Sequence, residues 1–205
     1  MKIYFALAAV IVAAACRKTD SAVRREDTSV VPPVSVLADS ASPVVTKDCG
    51  VSGLPVLTDN GIGELREGRS VADIKELCEV VSDAEQQGPE GMKQRVLVVR
   101  VGGETVQAIV NDEKVYRIEI SSPRLATTDS LAVDTPLHRI ATERGARFLP
   151  GEDGVYGFVA NHCAMSFRFS VPLRAPRGGD WTVAKIDSAH GDAAIDRILI
   201  TKCRR

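Results

Sequence analysis

The chain has 205 residues, enough for one domain or two small ones, and 44% are hydrophobic, enough to bury a sizeable core. Twenty-six basic residues against 27 acidic ones leave a formal net charge of -1, so no overall field recruits nucleic acid or an anionic bilayer. The reading therefore expects no nucleic-acid partner. In chain order, the first segment is a leader. Lys2 gives it a positive start, residues 3–15 carry no charge, and Ala13, Ala14 and Ala15 stand immediately before Cys16. A charged start, an apolar run of about 7–15 residues and small residues at its end make an export signal. The run is short of the roughly 20 residues a spanning helix needs.

Val12 to Cys16, V-A-A-A-C, resembles the lipobox of bacterial lipoproteins. That resemblance implies a signal peptide over 1–15, acylation of Cys16, and a mature chain held to a membrane by lipid. Each buried methylene contributes about 0.8 kcal/mol, and more than one acyl chain makes such an anchor stable. Arg17 and Lys18 follow the cysteine. In the family it resembles, an Asp there favours the inner membrane, so its absence implies the outer membrane, facing the periplasm. Residues 16–47 then read as the acylated N-terminus and a flexible tether, because Pro32, Pro33 and Pro43 break any helix and no periodicity is sustained. The exported domain is expected over 48–205.

Four further cysteines, Cys49, Cys78, Cys163 and Cys203, make an even number in an oxidising compartment. They read as two disulfides with three connectivities. Cys49–Cys78 with Cys163–Cys203 is favoured because each pair lies within one half of the folded region. No C-x-x-C spacing supports a metal or redox motif.

Within the domain, Gly61-Ile62-Gly63 signals a turn, and Ser70 is placed as an N-cap with Asp73 three residues on. Val71, Ile74, Leu77, Cys78 and Val81 recur at helical spacing, so a helix is expected over 71–82, followed by a polar loop over 83–94. Strands follow at 95–101, 104–110 and 114–121, joined by Gly102-Gly103 and Asn111-Asp112. In the third, Tyr116, Ile118 and Ile120 should share one face, with Arg117 and Glu119 on the other. A second helix begins at Pro136, carries Leu137, Ile140 and Ala141, and stops at Gly145. Four more strands are expected at 155–160, 165–171, 181–187 and 195–202. A slide of 66 residues lays Leu131 on Leu65, Leu137 on Val71 and Ile140 on Ile74, which suggests half-repeats over 60–122 and 126–205. The class is α+β, with helices packed on an antiparallel sheet.

The Gly61-Ile62-Gly63 turn, the Gly68-Arg69-Ser70 approach to a helix, the hairpin meander behind it and the doubling of that unit resemble the small exported modules of the β-lactamase inhibitor protein and the related outer-membrane assembly lipoproteins. The resemblance covers about residues 60–202 and implies a domain that binds other proteins. This chain departs from it in a four-strand second half and a long loop there.

Chemistry is thin. His162 and Cys163 are strand neighbours whose side chains should point to opposite faces, a poor nucleophile–base pair. His190 with Asp187 and Asp192 is the best local acid–base cluster. His138, His162 and His190 have no shared metal-ligand spacing, so neither metal nor cofactor is expected. Tyr116, Tyr156, Phe158 and Trp181 are candidate aromatic anchors for a partner. The leading expectation is a lipid-anchored lipoprotein of the cell envelope, whose non-catalytic domain binds or inhibits another envelope protein. The alternative is an envelope hydrolase or small-ligand binder using the His190 loop.

Overall fold

The structure is a computed structural model that describes residues 47–88, 91–171 and 182–203. The expected leader, Cys16, the expected tether up to residue 46, residues 172–180 and Trp181 lie outside the described residues.

The first half of the domain opens with three short strands, β1 (Val56–Leu57), β2 (Gly61–Ile62) and β3 (Leu65–Arg66). Helix α1 (Val71–Leu77) leads into the meander β4 (Glu79–Gln87), β5 (Lys93–Val101), β6 (Glu104–Asn111) and β7 (Lys114–Ile120). The second half has β8 (Ala126–Thr127), α2 (Leu137–Ala141), β9 (Arg147–Gly151), β10 (Gly154–Phe158), β11 (Met165–Phe169), α3 (Val183–His190) and β12 (Ile195–Ile200). Eight strands form one antiparallel sheet in the order β4-β5-β6-β7-β12-β11-β10-β9. The two halves meet at its centre, where β7 pairs with β12 through Ile120↔Ile198 and Ile118↔Ile200. The lead-in segments also meet, since β1 and β8 pair in parallel. The fold is α+β with strand dominating. Among the described residues no helix is long and apolar enough to cross a membrane.

One sheet face is covered. Val71 and Ile74 of α1, Leu137 and Ile140 of α2 and Ile186 of α3 share a core with Leu97, Ile118, Phe167 and Phe169 of the strands. Burying each such side chain contributes about 1.5–3 kcal/mol. α2 comes close because β10 carries Gly157, where an added Cβ would sit 3.0 Å from both Ile140 and Phe148. Cys49 is bonded to Cys78 and Cys163 to Cys203. The first bridge is fully buried, whereas Cys163 is exposed.

Three expectations are corrected. The helix expected over 71–82 stops at Leu77, because Cys78 is extended (φ -119°, ψ 151°) where it bridges to Cys49. Val80 and Val81 then favour strand. The residues read as a loop over 83–94 therefore contain most of β4, an edge strand exposed nearly throughout, which hides its alternation. Among the described residues, the segment expected as a strand over 181–187 is helix α3 from Val183, with Thr182 at its N-cap position and Ile186 its buried residue. The fourth strand of the second half is instead β9, over Arg147–Gly151.

β-Bulges interrupt the ladders at Val81 of β4, Tyr116 of β7 and Asp196 of β12, each an extra residue without a partner. A bulge bends its strand and re-aims its side chain. Strict alternation would put Tyr116 in the core beside Ile118. The bulge instead leaves Tyr116 52% exposed, while Val115 takes the buried position. That also corrects the expected face of Tyr116.

Candidate functional site

The sheet face away from the helices carries the side chains that alternate out of the core. Ser82, Val98, Gln107, Glu119, Leu199 and Ser166 lie in cross-strand register over six strands, and Phe158 pairs with Arg147 on the last two. A groove of about 420 Å³ runs over this face. Gln86 of β4 and Gly151 of β9, at opposite edges of the sheet, both line it, so the sheet curls around it.

Glu119 lies at its middle, on a central strand, only 6% exposed. Arg117 donates from Nη2 to Glu119 Oε1 and Arg197 from Nη1 to Glu119 Oε2, each at 2.6 Å. A buried carboxylate needs such partners, since an unpaired charge there would be costly. Towards β9 lies a second cluster. Arg168 binds Asp196 through two bonds of 2.9 and 2.7 Å and donates to Asp153 at 2.5 Å. The β12 bulge makes this possible, because it turns Asp196 to the same side as Arg197, which pairs with Arg168 across the strands. Tyr156 donates its hydroxyl to Asp153 at 2.6 Å.

The electrostatics follow. Burial first, then the bond it gives to Asp153, pushes the Tyr156 hydroxyl up to about 12, so it stays a donor at neutral pH. Burial alone would raise the Asp153 carboxyl, but hydrogen bonds from Tyr156 and Arg168 outweigh it and hold the group below its usual range. Asp196, hydrogen-bonded to Arg168, fixes that guanidinium firmly in its charged form.

At one end of the face, Tyr116 shares a shallow pocket with Arg147, Phe158, Cys163, Thr201 and Lys202. The Arg147 guanidinium lies 5.0 Å from the centre of the Phe158 ring, a cation–π contact. Tyr116, Tyr156 and Phe158 thus occupy the open face, whereas Phe148, Phe167 and Phe169 are in the core.

His190 ends α3 and lines a separate depression with His138 and Asp187. There His138 Nδ1 is 3.0 Å from both Asp187 oxygens. Such a pair can orient an imidazole. Among the described residues, no hydroxyl or thiol is hydrogen-bonded to His138 or His190, and Asp192 joins neither. His162 is engaged with Asp129 at 2.9 Å, and its neighbour Cys163 is in a disulfide. Asp59 accepts from the Ala164 N–H at 3.1 Å, so both lead-in segments reach the same turn. Among the described residues no cluster of three or more His, Cys, Asp or Glu is arranged to hold a metal ion.

The arginine–carboxylate clusters, the main feature of the site, were missed as a site in the sequence. The available signal was charge in the middle of central strands, at Arg117 and Glu119, Arg168 and Arg197.

The sequence matches no protein-family model and no curated protein. The fold is similar to the crystal structure of the uncharacterized protein yfeY from Escherichia coli. The TM-score is 0.50 with 15% identity, over 74% of this chain and 100% of that one, a likeness that bears on fold alone.

Proposed function

We propose that the chain is a lipid-anchored lipoprotein of the cell envelope, acylated at Cys16 and facing the periplasm from the outer membrane, and that its domain is a non-catalytic docking module for another envelope protein. One observation carries the docking reading: among the described residues no helix lies on one sheet face, which presents exposed Tyr116, half-buried Tyr156 and Phe158, and three fixed arginines. Tyr and Arg are the residue types that dominate binding energy at protein interfaces. The leader, the lipobox resemblance and two disulfides support an oxidising compartment. We further read the two helix-plus-four-strand halves, joined through β7 and β12, as a duplicated unit.

Two measurements test this. Mass analysis of the purified protein should find residue 16 as an acylated N-terminus, and an unmodified cysteine behind an intact leader would refute the anchor. A photo-crosslinking residue placed at Tyr116 should join a discrete envelope protein, while the same residue at Glu76 on the helix side should not. Equal labelling from both positions would refute docking by the open face.

A further inference from the structure

We infer that the pocket at the Tyr116 end of the open face receives a side-chain carboxylate of the partner protein, gripped by Arg147 and Lys202 beside the rings of Tyr116 and Phe158. This deepens the docking reading above and rests on it.

The central groove and this pocket differ in how their donors are used. In the groove Arg117, Arg168 and Arg197 are each paired with a carboxylate, and Tyr156 gives its hydroxyl to Asp153. Those donors are spent within the fold, and a ligand competing for them would have to break pairs already formed. The pocket that holds Tyr116, about 280 Å³, is the reverse. Among the described residues the side chains of Arg147, Lys202 and Tyr116 donate to no acceptor, and neither cation has a carboxylate partner. All three are exposed. Glu67 is the one acid among the described lining residues, and it pairs with neither cation, so the pocket keeps a net positive charge.

The contact that Arg147 does make leaves its donors open. Its guanidinium lies 5.0 Å from the centre of the Phe158 ring. A cation–π contact places the charge but supplies no oxygen to the fork of N–H donors. That fork matches the two oxygens of a carboxylate, and Lys202 adds a point charge. The β7 bulge turns the Tyr116 ring out to the same pocket, where with Phe158 it offers apolar surface to whatever flanks the carboxylate. An acidic residue beside an apolar one on a protein surface has this chemistry. A polyanion or an anionic bilayer calls for a broad positive field, and the chain as a whole carries a net charge of -1. The observations therefore favour a protein carboxylate, and a bare anion becomes an outcome of the test.

The test uses the full-length acylated protein in detergent micelles, a random decapeptide display library and inorganic phosphate as the bare-anion probe. Enriched peptides should place an Asp or Glu next to an aromatic or aliphatic residue. Arg147→Gln should weaken the selected peptides about tenfold and Lys202→Gln about threefold. Glu67→Gln removes the opposing charge and should strengthen them about threefold. Lys93→Gln removes the same charge as Lys202→Gln from an 80% exposed site near the opposite edge of the sheet, and should change nothing. Because Arg147 and Lys202 are exposed and have no carboxylate partner, the urea midpoint should not move. Enrichment of peptides without acidic residues, unchanged affinity in Arg147→Gln, weaker binding in Glu67→Gln, displacement of the peptides by equimolar inorganic phosphate, or no enrichment would each overturn the inference. If Tyr116 crosslinking still captures its partner from the double variant Arg147→Gln with Lys202→Gln, this inference fails while docking stands. If no crosslink forms at all, the docking reading itself fails.

Discussion

Glu119→Gln isolates the carboxylate at the centre of the open face. The substitution keeps shape and removes charge, so two guanidiniums lose their anion at once. Stripping one partner from a fully buried ion pair costs about 3–5 kcal/mol. Here the arginines can partly rehydrate, since Arg117 is 24% and Arg197 34% exposed, while Glu119 is 6% exposed. The expected loss is accordingly smaller, about 2 kcal/mol, with a fall in Tm of roughly 4–8 °C for a domain of this size. Urea unfolding followed by circular dichroism measures it, and an unchanged slope with a lower midpoint would locate the effect in the native state. A double-mutant cycle with Arg197→Gln should give a coupling of about 1 kcal/mol or more. A Glu119→Gln midpoint within about 0.5 kcal/mol of the parent protein, or a coupling near zero, would refute the claim that the pairing is desolvated and structural.

Phe169→Ala should cost about 3–5 kcal/mol in the same assay, because the ring is fully buried and meets Phe148 edge-on at 6.2 Å. Asp83 is held well below the usual carboxylate range by hydrogen bonds from Arg95 and Lys75. A depressed carboxyl adds stability that is present above its unfolded value near pH 4 and lost as pH falls through the folded value. Asp83→Asn should therefore be less stable than the parent at pH 7, and the gap should begin to narrow below about pH 4 and close only as pH falls towards the folded value. In mild dithiothreitol with alkylation and mass analysis, Cys163 and Cys203 should be labelled before Cys49 and Cys78, since the latter are 0% and 1% exposed. Loss of either bridge, closing loops of 29 and 40 residues, should cost about 3–4 kcal/mol in the chain-entropy account.

The meander of β5, β6 and β7 was legible because Leu97, Val99 and Val101 alternate with outward residues and paired glycines mark the turn. α2 was legible from Pro136, Leu137 and Ile140. The cysteine pairing followed from the division into halves. β4 was not legible, because an edge strand solvated on both sides has no apolar face to reveal its period. α3 was misread because it is short and buries Ile186 alone, too little to set a helical repeat against its flanking Thr and Val. Tyr116 and Asp196 could not be placed by counting, because a bulge shifts the period by one residue and leaves no local mark in sequence. The arginine–carboxylate clusters depend on those same bulges and on strands far apart in the chain, such as Glu119 with Arg197. Individual charged residues were visible, but their meeting was not.

Among the described residues no second layer lies on the open face, yet its centre is buried. A sheet with one bare side would usually be solvated there. Here curling brings the central strands out of water, and Val96, Ile109 and Leu199 are 0%, 5% and 8% exposed although they alternate away from the helices. In such surroundings a lone Arg168 would move among rotamers, but Asp196 and Asp153 grip it from two sides. Arginine loses much of its conformational freedom on binding. A face whose arginines and tyrosine are already held by neighbours has lost that freedom on folding, so less is lost when a partner arrives. Buried ion pairs are weak evidence for stability and are best attested where they fix one arrangement. The network is therefore better explained as fixing one arrangement of this face than as reinforcement of the core, which the apolar helix side already secures.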